Sequence, residues 1–240
     1  MIERPIGAIV TDIEGTTTDI DFVHKVLFPY ARQRLADFIK QQANNPEVRQ
    51  LLVATANLAE MPDADDATLV QTLLNWIDAD RKATPLKALQ GFIWRHGYEV
   101  GDFRGHLYPD VAPELKRWKD AGIALHVYSS GSVKAQQLLF GHSDAGDLTP
   151  LFDGYFDTTT GQKREADSYR AIHSAIKQNA RECLFLSDVV AELDAARQAG
   201  MQTAQLVRSP DMETGNHPQF ADFRQISQQL LAEPLQETDR

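Results

Sequence analysis

The stretch "IVTDIEGTTTDIDF", residues 9–22, joins the pattern of a buried strand to a pair of acidic residues. Its β-branched start is typical of a strand that is covered on both faces. Asp12 and Glu14 follow directly, and Gly15 permits the tight turn that would bring both carboxylates to one place. Similar apolar runs recur later in the chain, and they predict further parallel strands: "IALHVYSSGS" (123–132), "CLFLSD" (183–188) and "MQTAQLV" (201–207).

Helical patterns separate these predicted strands. "YPDVAPELKRWKDAG" (108–122) opens with proline and aspartate and stops at Gly122, and "DVVAELDAARQAG" (188–200) stops at Gly200. Both follow the usual start and stop signals of helices. Strands that alternate with helices predict an α/β fold built on a doubly wound parallel sheet.

The segment from about residue 21 to 104 interrupts this alternation. Apolar residues recur there at helical spacing, for example Leu27, Ala31 and Leu35, and prolines divide the segment into about four helices. We therefore expect a helical cap domain, residues 21–104, inserted after the first strand of an α/β catalytic core made of residues 1–20 and 105–240.

The composition of the chain makes some classes of binding partner unfavourable. The 240 residues carry a net charge of -10 with scattered positive residues, which disfavours nucleic acids and anionic membranes as partners. The single cysteine, Cys183, lies in an apolar run and is interpreted as a buried hydrophobic residue rather than a nucleophile. The N-terminal sequence lacks the apolar core of a signal peptide, and no run is long enough to span a membrane. These features predict a soluble cytoplasmic protein, with a monomer as the default.

Polar side chains follow the predicted strands at their carboxyl ends, where ligands of open parallel sheets bind. Asp12, Ser129 and Asp188 would converge at this edge, with Glu14 reaching it from the loop. Carboxylate oxygens without a histidine or cysteine cluster suit Mg²⁺. Further groups offer hydroxyls, amides and an ammonium to an anion: Ser129, Ser130, Gly131 and Lys163. The set predicts phosphoryl transfer, in which an aspartate attacks phosphorus and Glu14 serves as the acid and base.

Each residue also has an ordinary structural interpretation. Asp12 alone is compatible with a turn residue, Ser129 and Ser130 with N-caps, Asp188 with a cap of the next helix, and Lys163 with a solvated surface lysine. Their joint occurrence, in this order at predicted strand ends, favours a catalytic site.

The same residues resemble the four motifs of the haloacid dehalogenase-like superfamily of phosphotransferases: Asp12-x-Glu14-Gly15-Thr16, Ser129, Lys163, and "SDVVAE" with Asp188 and Glu192. Most phosphatases of that superfamily have aspartate where this chain has Glu14. With "YSSGSVKAQQLLFG", "FDGYFDT" and "GQKREADSY", the pattern looks like the enolase-phosphatase (acireductone synthase) family of methionine salvage.

The resemblance implies roles for individual residues. Asp12 would be the nucleophile and a metal ligand, Glu14 the general acid and base grouped with the metal, and Asp188 a further ligand of one Mg²⁺ per subunit. Ser129 and Ser130 would bind the substrate phosphate, and Lys163 the phosphorylated intermediate. Glu192 would lie farther from the reacting atoms.

The implied reaction is a bifunctional one in methionine biosynthesis. A phosphoric monoester hydrolase with enolase activity would convert 2,3-diketo-5-methylthiopentyl-1-phosphate to the acireductone 1,2-dihydroxy-3-keto-5-methylthiopentene, by enolisation and then dephosphorylation through an aspartyl phosphate. The helical cap would cover the methylthio tail, and Phe22, Val23, His24 and Lys25 lie where the chain enters it. A structural role for His24 is favoured over a catalytic one.

Two alternatives stay open on the sequence alone. One is a general small-metabolite phosphatase of the same superfamily. The other is a catalytically silent phosphate-binding module, which has no need of the complete set Asp12, Glu14, Ser129, Lys163 and Asp188. Dehalogenase chemistry is disfavoured because halide departure does not require the acid at Glu14.

Overall fold

The fold is described from a computed structural model that covers residues 2–3 and 5–231. A sheet of six parallel strands has the order β3-β2-β1-β4-β5-β6. Its strands are β1 (Ala8–Thr11), β2 (Ala124–Tyr128), β3 (Gly154–Phe156), β4 (Cys183–Ser187), β5 (Gln202–Leu206) and β6 (Gln219–Phe220). The predicted doubly wound parallel sheet is therefore confirmed.

Strand β1 lies in the middle of the sheet, paired with β2 on one side and β4 on the other. Its residues are covered on both faces, as the apolar run predicts: Ile9 and Val10 are at most 1% exposed. The chain adds β2 and β3 on one side of β1 and then returns to add β4 on the other. Strand order thus reverses between β1 and β4, which is where open α/β sheets bind ligands.

Helices cover the sheet between its strands. They are α6 (Val111–Asp120), α7 (Val133–Gly141), α8 (Ala166–Ala175), α9 (Val190–Gln198) and α10 (Phe223–Leu230). Short 3-10 turns occur at Thr149–Leu151 and Ala180–Glu182. Aromatic residues such as Tyr128, Tyr169 and Phe185 fill the core between β4, α8 and α9 and are fully buried. A rigid layer therefore lies beneath the loops that follow the strands.

The chain divides into two compact units, and the second is helical. It extends from Ile20 to Gly105, while the sheet unit takes the chain up to Asp19 and from His106 onward. The second unit contains α1 (Ile20–Phe22), a π-helical turn (Val23–Leu27), α2 (Phe28–Gln41), α3 (Pro46–Leu58), α4 (Asp66–Asp78) and α5 (Thr84–Val100). The roles of the two units as catalytic core and cap stay predictions.

The helical unit has its own apolar core. Leu35, Leu52, Leu73 and Leu89, one from each long helix, are fully buried in it. Trp94 is partly buried at its margin and donates its indole N–H to the carbonyl of Leu27 at 2.8 Å. His24 is exposed and contacts Phe28 edge to face.

Two short strands were not predicted from the sequence. Strands β3 and β6 have 3 and 2 residues, which is too short for an apolar period to stand out. None of the described helices has the length and apolar character needed to cross a membrane.

Candidate active site

The loop after β1 holds the first two carboxylates in a compact turn. Asp12 is 3% exposed, and its backbone N–H donates to the carbonyl of Leu186 in β4 at 2.9 Å. The amides of the next three threonines all donate to the carbonyl of Ile13, at 3.2, 2.8 and 3.0 Å. Gly15 has φ of +73°, so this turn uses the left-handed conformation that glycine adopts readily.

Gly15 also allows a close approach between this loop and the end of β4. A Cβ atom at Gly15 would lie 2.3 Å from Oδ2 of Asp188 and 2.6 Å from its Cγ. Thr16 fixes the same carboxylate: its Oγ1 accepts from the Asp188 amide at 3.1 Å and lies 3.5 Å from Oδ1. Asp188 is therefore held directly beside the loop that carries Asp12 and Glu14.

Lys163 brings a positive charge into the buried acidic cluster. Its side chain is 10% exposed, and Nζ lies 2.6 Å from Asp12 Oδ1 and 2.7 Å from Glu192 Oε2. Ser187 donates to the same Glu192 oxygen at 3.0 Å and lies 3.4 Å from Asp12 Oδ2. Burial alone would lower the pKa of Lys163, but the attraction of Asp12 and Glu192 outweighs it and raises that pKa. The lysine is an ammonium fixed against the nucleophile candidate, not a surface lysine.

Buried hydroxyls fix the backbone of the loop that carries Lys163. Tyr128 donates to the carbonyl of Gly161 at 2.8 Å, Ser168 to that of Gln162 at 2.7 Å, and Tyr169 to that of Lys163 at 2.7 Å. Three consecutive carbonyls are thus anchored to buried side chains of β2 and α8.

Ser129 follows β2 and contacts the other acid of the first motif. Its side chain is fully buried, donates to Glu14 Oε2 at 3.2 Å and accepts from the Gly131 amide at 3.1 Å. Ser130 is exposed in the same loop. The N-cap of α7 is Ser132, whose Oγ accepts from the Ala135 amide at 3.3 Å. The cap interpretation of Ser129 and Ser130 is therefore wrong, since Ser132 takes that role.

The cap interpretation of Asp188 is also wrong. Helix α9 has Val189 at its N-cap position and no side-chain cap. The Asp188 carboxylate instead lies beside Gly15 and Thr16.

Burial and mutual repulsion perturb the acids of this cluster. Burial and the charge of Asp12 raise the pKa of Glu14 from its ordinary value of 4.5. The same two causes raise the pKa of Asp188 to about 6 and that of Glu192 to about 7, even with Lys163 close by. One ammonium does not neutralise four carboxylates, so the cluster is short of positive charge.

The donor set fits a hard divalent cation. Asp12, Glu14 and Asp188 offer carboxylate oxygens, and the shortage of positive charge favours a cation among them. Among the described residues, no three or more Asp, Glu, His or Cys side chains form a ready metal cage. Mg²⁺ does not need such a cage, because it retains several waters and takes oxygens from substrate phosphate.

Other site residues were missed by sequence reasoning. Gln136 donates to the carbonyls of Gly131 and Phe156, both at 2.8 Å, and so fixes the loop after β2. Arg208, in the loop after β5, donates to the Thr16 carbonyl from Nε at 3.1 Å and from an NH2 group at 2.7 Å. Gln136 lies inside the stretch "YSSGSVKAQQLLFG", which the family resemblance had already marked. No motif in the sequence pointed to Arg208.

Known proteins are similar to this chain over most of its length. A profile of haloacid dehalogenase-like hydrolases matches residues 6–200. "Enolase-phosphatase E1" of Pectobacterium carotovorum is 58% identical over 221 residues, which cover 92% of this chain and 96% of that protein. The protein of the same name in Methylococcus capsulatus is 53% identical over 226 residues, 94% of this chain and 100% of that protein.

Solved structures share the fold. The UTR4 protein of Saccharomyces cerevisiae has a TM-score of 0.77 at 34% identity, over 92% of this chain and 100% of that chain. The L-2-haloacid dehalogenase of Xanthobacter autotrophicus has a TM-score of 0.59 at 16% identity, over 96% and 100%, which supports the fold alone. The resemblance drawn from the motifs is confirmed: the chain belongs to the haloacid dehalogenase-like hydrolase family and, within it, to the enolase-phosphatases.

Proposed function

We infer that this chain is an enolase-phosphatase of methionine salvage. It converts 2,3-diketo-5-methylthiopentyl-1-phosphate to 1,2-dihydroxy-3-keto-5-methylthiopentene and phosphate. The observation that carries this inference is the meeting of Asp12, Glu14, Ser129, Lys163 and Asp188 beyond β1, β2 and β4. The relatives named above support the same conclusion.

We propose Mg²⁺ as the cofactor, one per subunit, held by Asp12, Glu14 and Asp188. When bound, it neutralises phosphate charge and stabilises the negative oxygen that forms during enolisation. Its two positive charges would also offset the repulsion from Asp12, which adds to burial in raising the pKa of Asp188.

The side chains divide the chemistry of phosphate transfer. An Asp12 carboxylate oxygen attacks phosphorus while the ester oxygen departs, which leaves an aspartyl phosphate. Glu14 is suited to protonate the departing oxygen, because it follows Asp12 in the same turn. Burial and the charge of Asp12 raise its pKa, which favours its protonated form. It then takes a proton from the water that hydrolyses the aspartyl phosphate.

The remaining residues hold the phosphate oxygens. Ser129 and Ser130 donate hydroxyls at the start of the loop before α7, and Lys163 compensates the negative charge that develops next to Asp12. Such fixed donors contribute more in a buried site than in water, because they need no reorganisation.

The helical unit is proposed as the cap that receives the methylthio tail. The chain enters this unit at Ile20, directly after the turn at Gly15 to Asp19, and re-enters the sheet unit at His106. We also propose a small phosphate ester as the partner, a monomeric state and a cytoplasmic location.

A spectroscopic assay tests the proposed function. The diketo phosphate and Mg²⁺ should give ultraviolet absorbance from an enol intermediate and then the acireductone, together with released phosphate. Phosphate release without enol or acireductone would contradict it and favour a general phosphatase.

A generic aryl phosphate ester tests the nucleophile separately. Asp12→Asn should release no phosphate from it, because an amide oxygen is a poor nucleophile. Equal release by the unaltered protein and Asp12→Asn would rule out an aspartyl phosphate at Asp12.

A further inference from the structure

A buried arginine outside all of the four motifs connects three segments around the site. Arg208 follows β5, and its side chain is 8% exposed. Two of its nitrogens donate to the Thr16 carbonyl at 3.1 and 2.7 Å. A third donates to both carboxylate oxygens of Asp110, each at 2.9 Å. Asp110 stands at the start of α6 and is 4% exposed.

Aromatic rings and backbone groups complete the enclosure. The guanidinium lies 4.3 Å from the ring centre of Tyr108 and 5.3 Å from that of Phe223. The Phe223 amide donates to Asp110 at 2.8 Å. Hydrogen bonds and two aromatic rings therefore surround the guanidinium and restrict its position.

The contact with Thr16 links Arg208 to Asp188, a proposed metal ligand. The Thr16 carbonyl takes two hydrogen bonds from Arg208, and the Thr16 hydroxyl accepts from the Asp188 amide at 3.1 Å. Thr16 is fully buried, and its hydroxyl links the turn to the residue that follows β4. The position of Asp188 relative to Asp12 and Glu14 thus depends on where Thr16 is held.

We propose that Arg208 is a positioning residue for the metal site, acting through Thr16 on Asp188. The inference rests on the proposed function, since it concerns the Mg²⁺ site named there. Arg208 touches no reacting atom. It tightens Mg²⁺ binding because it holds the carbonyl side of Thr16 while the hydroxyl side orients Asp188.

Two variants test the proposal. Arg208→Lys keeps the charge beside Asp110, but a single ammonium cannot span both Asp110 and Thr16 as the planar guanidinium does. The double variant Arg208→Met with Asp110→Asn removes both charges, so no buried charge is left unpaired. The asparagine oxygen can still accept from the Phe223 amide.

Ser227→Ala is the matched control. The Ser227 hydroxyl accepts from the Trp118 indole N–H at 2.7 Å and donates to Glu114. It therefore joins α6 to α10 as Asp110 does, without contacting Thr16. Circular dichroism checks that each variant is folded. Calorimetric titration with Mg²⁺, and the rise in Tm on adding Mg²⁺, then measure binding without any turnover.

We expect both Arg208 variants to bind Mg²⁺ about 10-fold or more weakly than the unaltered protein, which is the usual effect of losing support behind a metal ligand. Excess Mg²⁺ should restore most of their turnover of an aryl phosphate, and Ser227→Ala should bind Mg²⁺ normally. Unchanged Mg²⁺ affinity in the Arg208 variants, or an equal loss in Ser227→Ala, would overturn the inference. Absence of Mg²⁺ binding in the unaltered protein would instead overturn the proposed metal site itself, and this inference with it.

Discussion

Replacing Gly15 by alanine should damage activity far more than stability. Gly15 has φ of +73°, and a non-glycine residue in this region loses about 1–2 kcal/mol of folding free energy. The added Cβ would also lie 2.3 Å from Oδ2 of Asp188. The carboxylate must therefore move by about 1 Å to reach an ordinary contact distance of about 3.5 Å.

A shift of that size in the Asp188 carboxylate should lower the rate of catalysis strongly. Misplacing a catalytic group by about 1 Å can lower the rate about 100-fold. We therefore expect Gly15→Ala to lower kcat/KM for an aryl phosphate by about 100-fold, with a fall of about 1–2 kcal/mol in the free energy of unfolding.

Gly122→Ala is the control for the backbone effect. Gly122 has φ of +82° and belongs to the same unit, and its Cβ would meet nothing within 4 Å. The control should lose similar stability in a urea titration but keep its kcat/KM. If both variants retain the same kcat/KM, the close approach of Gly15 to Asp188 does not matter for the reaction, and our reasoning about the site is refuted.

Three further predictions follow from the same cluster and the core beneath it. The pKa of Glu192 rises from 4.5 to about 7, so between those values the folded state holds a proton that the unfolded state releases. Metal-free protein should therefore lose stability relative to Glu192→Gln as pH rises through this window; parallel Tm curves would contradict this. Tyr169→Phe should lower the free energy of unfolding by about 1–3 kcal/mol, because the buried carbonyl of Lys163 loses its donor. A urea titration measures this change, and a loss no larger than that of a substitution at an exposed position would contradict the anchoring role of Tyr169. Cys183 is fully buried with its pKa raised to about 11 by burial, so iodoacetamide should label it only in denaturant, as mass spectrometry can show.

The parallel sheet explains why much of the site could be read from the sequence. Asp12, Ser129 and Asp188 each end an apolar run, and parallel strands bring their carboxyl ends to one edge whatever the loops do. Lys163 lies in a loop with no such constraint. The residues alone indicated only a cation ahead of a helical pattern, and the family resemblance implied its role.

The supporting residues could not be predicted in this way. Arg208 acts through hydrogen bonds to the main-chain carbonyl of Thr16, which is far away in the chain, and such a contact leaves no local period or motif. Tyr169 lies in the quoted stretch "GQKREADSY", but nothing in that stretch shows that its hydroxyl binds the Lys163 carbonyl. Strands β3 and β6 were missed because pairing with a neighbour, rather than their own sequence, makes them strands.

The anchoring of the Lys163 loop determines which of its residues can be substituted during evolution. The three hydroxyl donors bind main-chain carbonyls, which every residue type possesses. The exposed neighbours Gln162 and Arg164 are therefore free to be exchanged without moving the ammonium between them. Substitutions should therefore accumulate at the exposed positions of this loop, while the buried tyrosines that donate to it are retained.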